Sequence, residues 1–204
     1  MSAGGKVIPI RRTDPPPVQA EDARISDAAL VAACAVGDSA ALGVLFDRHH
    51  RGVYAFLSRL AGTDERDLDD LVQATFLEAL RSAKRFRGDA PVHRWLFGIA
   101  ANIVSHHVRS EIRRKSFQTR LAIIPRRAPT EPSVHAERDQ LMKRVRRAVD
   151  ELPHKQKVVY VMCELEEMPG VEVAKVLGMR EGTVWRLLYQ ARVALRIALE
   201  RRES

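Results

Sequence analysis

Apolar positions recur along most of this chain at three- and four-residue steps, the period of helices that bury one face. A first short helix opens at Ser26-Asp27, a natural cap for free backbone N–H groups ahead of Leu30 and Val31, and ends at Gly37. Asp38 or Ser39 caps a second helix carrying Leu42, Leu45, Phe46, Val53, Phe56, Leu57 and Leu60, and Gly62-Thr63-Asp64 breaks it. The third, roughly Asp64 to Ala83, sets Leu68, Leu71, Val72, Thr75, Phe76 and Leu80 on one stripe. Its opening is acidic, with Asp64, Glu65, Asp67, Asp69 and Asp70. Negative charge there suits the helix dipole, and it equally suits docking on a basic partner. Arg85 to Pro91 reads as a loop in which Gly88 permits turn geometry and Pro91 fits the start of a fourth helix. That helix gathers Val92, Trp95, Leu96, Ile99, Ile103 and Val108 on one face. The other face holds His93, Arg94, Asn102, His106, Arg109, Arg113 and Arg114.

From about Ser116 to Pro132 the pattern collapses into an exposed linker marked by Pro125, Pro129 and Pro132, where Leu121, Ile123 and Ile124 are candidates to touch a partner. Periodicity returns at Glu137 with Leu141, Val145, Ala148, Val149 and Leu152. Pro153 starts one helix, with Val158, Val159, Met162 and Leu165. Pro169 starts another, with Val173, Val176 and Leu177, which Gly178 closes. Glu181 or Thr183 opens the last, whose apolar side is Val184, Leu187, Leu188, Ala191, Leu195, Ala198 and Leu199. Residues 1–24, with Gly4-Gly5 and Pro15 to Pro17, show no period and read as a disordered tail. No run alternates as a strand would. The pattern predicts an all-α chain of two small helical domains, residues 25–115 and 137–204, joined by a flexible linker at 116–136.

The net charge of +8 points to a polyanionic partner, nucleic acid before a membrane surface. Between Arg81 and Arg127 stand 12 Lys and Arg residues against only Asp89 and Glu111, enough to bind phosphates with strong salt dependence. Phe86 and His93, interleaved there, suit unstacked bases, whereas Trp95 falls on the apolar stripe and belongs to the core. Cys34 and Cys163 lie far apart in apolar helical stretches, so both read as free thiols in a reducing cytoplasm. No window approaches the roughly 18 apolar residues of a membrane span, and the N-terminus has no secretory apolar core.

The most specific local signal runs from Val171 to Val184: a short helix, a tight turn at Gly178 and a second helix, a helix-turn-helix. Ala174 is small enough for the helices to cross closely, with Val184 beneath it. Arg180, Glu181, Thr183, Trp185, Arg186 and Tyr189 are candidates to face DNA. Arginine pairs with guanine and glutamate accepts from cytosine, while Gly182 lets backbone N–H groups approach a phosphate. No catalytic constellation is visible. Asp69 and Asp70 are adjacent and diverge on a helix, as do His106 and His107, and no His/Cys spacing suits zinc. The chain therefore reads as no enzyme, with no metal and no cofactor. A stand-alone DNA-binding regulator would explain the helix-turn-helix but not the first domain. A recombinase-like enzyme would need a nucleophile that is missing.

From about Leu30 to Arg202, excluding the linker, the chain resembles the extracytoplasmic-function sigma factors of the sigma-70 family. Asp69-Asp70-Leu71-Val72-Gln73-Ala74-Thr75-Phe76-Leu77-Glu78-Ala79-Leu80 is similar to the family's polymerase-clamp-binding segment. Phe86-Arg87-Gly88-Asp89-Ala90-Pro91, followed by Trp95 to Asn102, is similar to its promoter-melting and −10-reading segment. Leu152 to Val159 and the helix-turn-helix are similar to its −35-reading region 4. The resemblance implies that Asp69, Asp70, Leu71, Gln73 and Phe76 dock on the β′ clamp helices of core RNA polymerase. Phe86, Arg87, Gly88, Asp89, Asn102 and His106 would take a flipped −10 base, with Arg109, Arg113 and Arg114 on phosphates. Arg180, Glu181, Gly182, Thr183, Trp185, Arg186 and Tyr189 would read the −35 element. The linker would thread toward the RNA exit path, and the β subunit of core polymerase is implied as a contact beside the β′ clamp helices. The implied partners are core polymerase, promoter DNA and an anti-sigma factor, in the cytoplasm and on the nucleoid when polymerase-bound, with no membrane insertion. Two positions depart from the family pattern: His106 stands where an aspartate is common, and Trp185-Arg186-Leu187 replaces the usual Lys-Ser-Arg.

Overall fold

The computed structural model describes residues 25–61, 65–118 and 136–200, so the tail, Leu121, Ile123 and Ile124 lie outside the described residues. Eight α-helices and no strand occur among those residues: α1 (Asp27–Ala35), α2 (Ser39–Ala61), α3 (Glu65–Ser82), α4 (Val92–Gln118), α5 (Ala136–Asp150), α6 (His154–Tyr160), α7 (Gly170–Leu177) and α8 (Glu181–Glu200). The expected capping chemistry starts and stops them. Ser26 Oγ accepts from the Ala29 N–H at 3.2 Å, and Asp38 Oδ1 from the Ala40 N–H at 2.8 Å, each satisfying a donor that the first turn leaves open. Pro153 and Pro169 precede α6 and α7. Gly178 closes α7 in the left-handed region at φ 61°, where a Cβ would be strained.

Helices α1 to α4 form one bundle. Phe56 and Phe97 stack at its centre, 4.6 Å between ring centroids, and both are buried. Phe46 meets Phe76 edge-on at 4.9 Å. Helices α5 to α8 make a smaller unit in which Val173, Val184 and Leu188 bury beneath the helix-turn-helix, and Ala148, Val149 and Leu152 pack on Ala191 and Leu195. The helix expected after Pro153 does not run through Leu165. A π-helical turn, Val161–Leu165, replaces its end, and Glu167 turns the chain at φ 50° so that both Met162 and Met168 bury. Leu141, read as part of the apolar face of α5, is half exposed.

Asp27 ties the start of α1 to α2. Its carboxylate accepts from Arg48 Nη1 at 2.7 Å and lies 2.7 Å from His49 Nε2. Partial burial raises its proton affinity, but the hydrogen bonds and charges of Arg48 and His49 outweigh that and hold it below the usual aspartate range. A carboxyl depressed on folding stabilises the fold above its unfolded-state pKa, and that stability disappears as pH falls through the folded-state value. Asp27→Asn is therefore expected to lower the melting temperature near about pH 7, with the gap from wild type narrowing as pH falls below the usual aspartate range. A gap that stays constant across a melting series in pH would show that the pairing contributes nothing.

Candidate nucleic-acid interface

Helix α3 turns its stripe inward because Leu68, Leu71, Val72 and Phe76 find α2 and α4 to pack against. Two of the residues expected at a polymerase surface are thereby corrected: Leu71 and Phe76 are 5% and 3% exposed and belong to the core. Asp69, Asp70 and Gln73 are exposed. Leu77, one turn beyond Gln73, is 52% exposed and completes a face of acid, amide and apolar groups. Leu77 falls inside the segment that resembles the clamp-binding stretch but outside the residues expected to dock, although its position off the stripe marks it as outward-facing.

A short 3₁₀ turn, Ala83–Arg85, leads from α3 into the loop before α4. Arg87, Gly88 and Asp89 are exposed there, and Gly88 sits at φ 74°, which favours glycine. Phe86 is not free to stack on a base. It is half-buried against Trp95, with ring centroids 5.0 Å apart. Asn102 and His106 stand exposed nearly three and nearly four turns along α4 and line an open groove of about 530 Å³ with Arg81, Arg85 and Trp95. The side chains of Arg109, Arg113 and Arg114 lie outside the described residues. Among the described residues no cluster of His, Cys, Asp and Glu is placed to hold a metal.

The helix-turn-helix is formed by α7 and α8. Arg180, Glu181, Gly182, Arg186 and Tyr189 are exposed around the first turns of α8, with Thr183 half-buried. Tyr189 is 68% exposed, unusual for so large a ring and suited to contact with another molecule. Trp185 is half exposed, and its indole N–H is spent on Glu181.

The two helical units are packed on one another, which the linker pattern did not foretell. Helix α7 lies on α4. Gly98, buried on α4, faces Val176: a Cβ at residue 98 would come within 2.2 Å of Val176 Cγ1. Arg94 Nη1 pairs with Glu172 Oε2 at 2.6 Å, Arg59 pairs with Glu166, and Ser105 Oγ lies 2.9 Å from His154 Nε2. Arg94, counted above in the basic face, is thus committed to an internal ion pair. Val176 lines the groove beside Asn102, and Glu172 and Lys175 line a second against Arg87 and Asp89.

Comparison with known proteins gives these surfaces a family. Residues 45–114 match the model of Sigma-70 region 2 and residues 142–195 that of Sigma-70, region 4. The chain is 34% identical over 175 residues to the ECF RNA polymerase sigma factor SigM of Mycobacterium tuberculosis, covering 83% of each. It is an extracytoplasmic-function sigma factor of the sigma-70 family. The sigma-E factor of Escherichia coli is 26% identical to this sigma factor over 183 residues, 84% of this chain and 93% of that one. Among solved structures, CnrH in complex with the cytosolic domain of CnrY is similar with TM-score 0.59 and 29% identity, over 85% of this sigma factor and 97% of that chain. RpoE of Bartonella quintana, solved with the anti-sigma factor NepR, shares the fold at TM-score 0.61 and 20% identity, over 76% of this chain and 94% of that one. The region 2 match spans the acidic face, the loop and α4. The region 4 match spans most of α5, all of α6 and α7, and α8 to Leu195.

Proposed function

We propose that this sigma factor directs core RNA polymerase to promoters, docking through the exposed face of α3, reading the −10 element with the loop and groove at α4, and reading the −35 element with α8. It is a transcription initiation factor, and it acts by binding, without chemistry of its own. The observation that carries the reading is the coexistence of two exposed faces on one chain. Asp70, Gln73 and Leu77 stand out from α3, and Arg180, Arg186 and Tyr189 stand out from α8. A DNA-binding regulator needs only the second.

The −10 and −35 elements lie about 25 base pairs apart, roughly 85 Å along B-form DNA. Helix α7 meanwhile rests on the α4 face that reads the −10 element. The two units therefore separate before both elements are engaged. Residues 25–115 and 137–204 act as two modules, with 116–136 as the strap between them. Relatives solved with CnrY and NepR motivate an anti-sigma factor as a further partner, one that stabilises an inactive arrangement. No described helix is long and apolar enough to cross a membrane, and the place of action is the cytoplasm, where polymerase meets DNA.

Reconstitution tests this reading. Core polymerase with the purified chain, given a DNA pool randomised across both promoter segments, is expected to yield chain-dependent transcripts from a shared motif. Core polymerase that neither binds the chain nor gains any start site from it would sink the reading.

A further inference from the structure

The recognition helix carries one large ring that is held at two edges. Trp185 lies one turn beyond Glu181 on α8, and its indole Nε1–H donates to Glu181 Oε1 at 3.0 Å. The six-membered part of the ring lies over Gly170, the first residue of α7. A Cβ built on Gly170 would stand 2.7 Å from Trp185 Cζ2 and 3.0 Å from Cη2. Carbon atoms do not approach so closely, so the seat exists because residue 170 has no side chain. Gly170 is buried and its φ is not positive, so the backbone does not require glycine there. The space beneath the ring does.

Glu181 is the first residue of α8, beside backbone N–H groups that the first turn leaves unpaired. An ionised carboxylate only accepts hydrogen bonds. With Oε1 on the indole, the second oxygen of this exposed carboxylate remains an acceptor. In a major groove it suits an amino group, cytosine N4 or adenine N6, and opposes guanine O6 and N7. An untethered exposed glutamate loses rotamer freedom when it docks, whereas one already held by the indole loses less.

We infer that Trp185 is a positioning residue rather than a base reader: seated on Gly170, it holds Glu181 so that this carboxylate selects an amino-bearing base in the −35 element. The inference rests on the −35 reading assigned to α8 above. It also explains why an aromatic can stand where relatives of this family commonly place a cation, since the ring's work is internal.

The test uses the full chain assembled with core polymerase, selecting from duplex DNA randomised across the −35 segment, with the selected pool sequenced. Wild type is expected to favour cytosine or adenine by about tenfold at one −35 position. Glu181→Ala should flatten that position and leave the others unchanged. Trp185→Phe keeps a ring over Gly170 but lacks the N–H, and should reproduce the same single-position loss. Gly170→Ala, which displaces the ring, should do likewise. The inference is overturned if Trp185→Phe retains the wild-type preference at that position, or if it erodes every −35 position alike, as a merely structural residue would. A wild type with no preference anywhere in the −35 segment overturns the −35 reading itself, and the tether with it.

Discussion

Asp70→Lys combined with Gln73→Ala is expected to abolish assembly with core polymerase while leaving the fold intact. Both side chains are exposed on α3, three residues apart on one face, with Leu77 completing it. Residues central to an interface cost about 2 kcal/mol or more each when removed, so the pair is worth roughly a thousandfold in affinity. Reversing the charge of Asp70 adds repulsion from a basic partner. Exposed substitutions of this sort shift stability by about 0.5 kcal/mol at most, so the thermal melt should barely move. Titration of labelled core polymerase measures the effect, and an affinity within about threefold of wild type would remove α3 from the docking surface. Leu71→Ala makes the contrast. That side chain is buried, so its loss should cost about 2–5 kcal/mol of stability and weaken assembly only through the fold.

Gly98→Leu is expected to drive the two units apart. Any side chain at Gly98 meets Val176, and overpacking of that kind costs about 1–3 kcal/mol. The seam also carries an apolar cluster shared by the two units, the Ser105–His154 contact and two ion pairs. The Arg59–Glu166 pair is partly exposed at its arginine, and such pairs contribute about 0–1 kcal/mol. The Arg94–Glu172 pair is more buried, but Arg94 Nε and Glu172 Oε1 find no protein partner, so its desolvation is poorly compensated. The packed population should therefore fall by about ten- to a hundredfold. Small-angle scattering should report a larger radius of gyration, and hydrogen exchange should speed up on α7. Gly98→Ala with Val176→Ala restores space at the contact and should return the packed form. A Gly98→Leu variant with wild-type scattering would mean that the units are held by forces other than this contact.

Much of the architecture was legible before any coordinates because it is local. Ser26, Asp38, Pro153, Pro169 and Gly178 sit at helix ends for reasons of capping and backbone geometry that involve only near neighbours. The helix-turn-helix is local too: Ala174 and Val184 bury, and the residues between Arg180 and Tyr189 that were picked for DNA are those the helix turns outward, Thr183 and Trp185 only partly. The acidic face of α3 followed from charge; the apolar stripe held Leu71 and Phe76 while the resemblance put both at the docking surface, and sequence alone did not choose between the two. Two other helices decide that by covering one side of α3.

The periodic spacing of apolar residues and the breakers thus determined by themselves an all-helical chain, most of its helix starts and stops and its helix-turn-helix. Each of these depends on residues within one or two turns. Tertiary structure alone decided that Arg94 is spent internally on Glu172, why residues 98 and 170 are glycine, and that α7 packs on α4. Those outcomes depend on atoms that meet across dozens of intervening residues, where steric exclusion and desolvation act between surfaces that no local period describes.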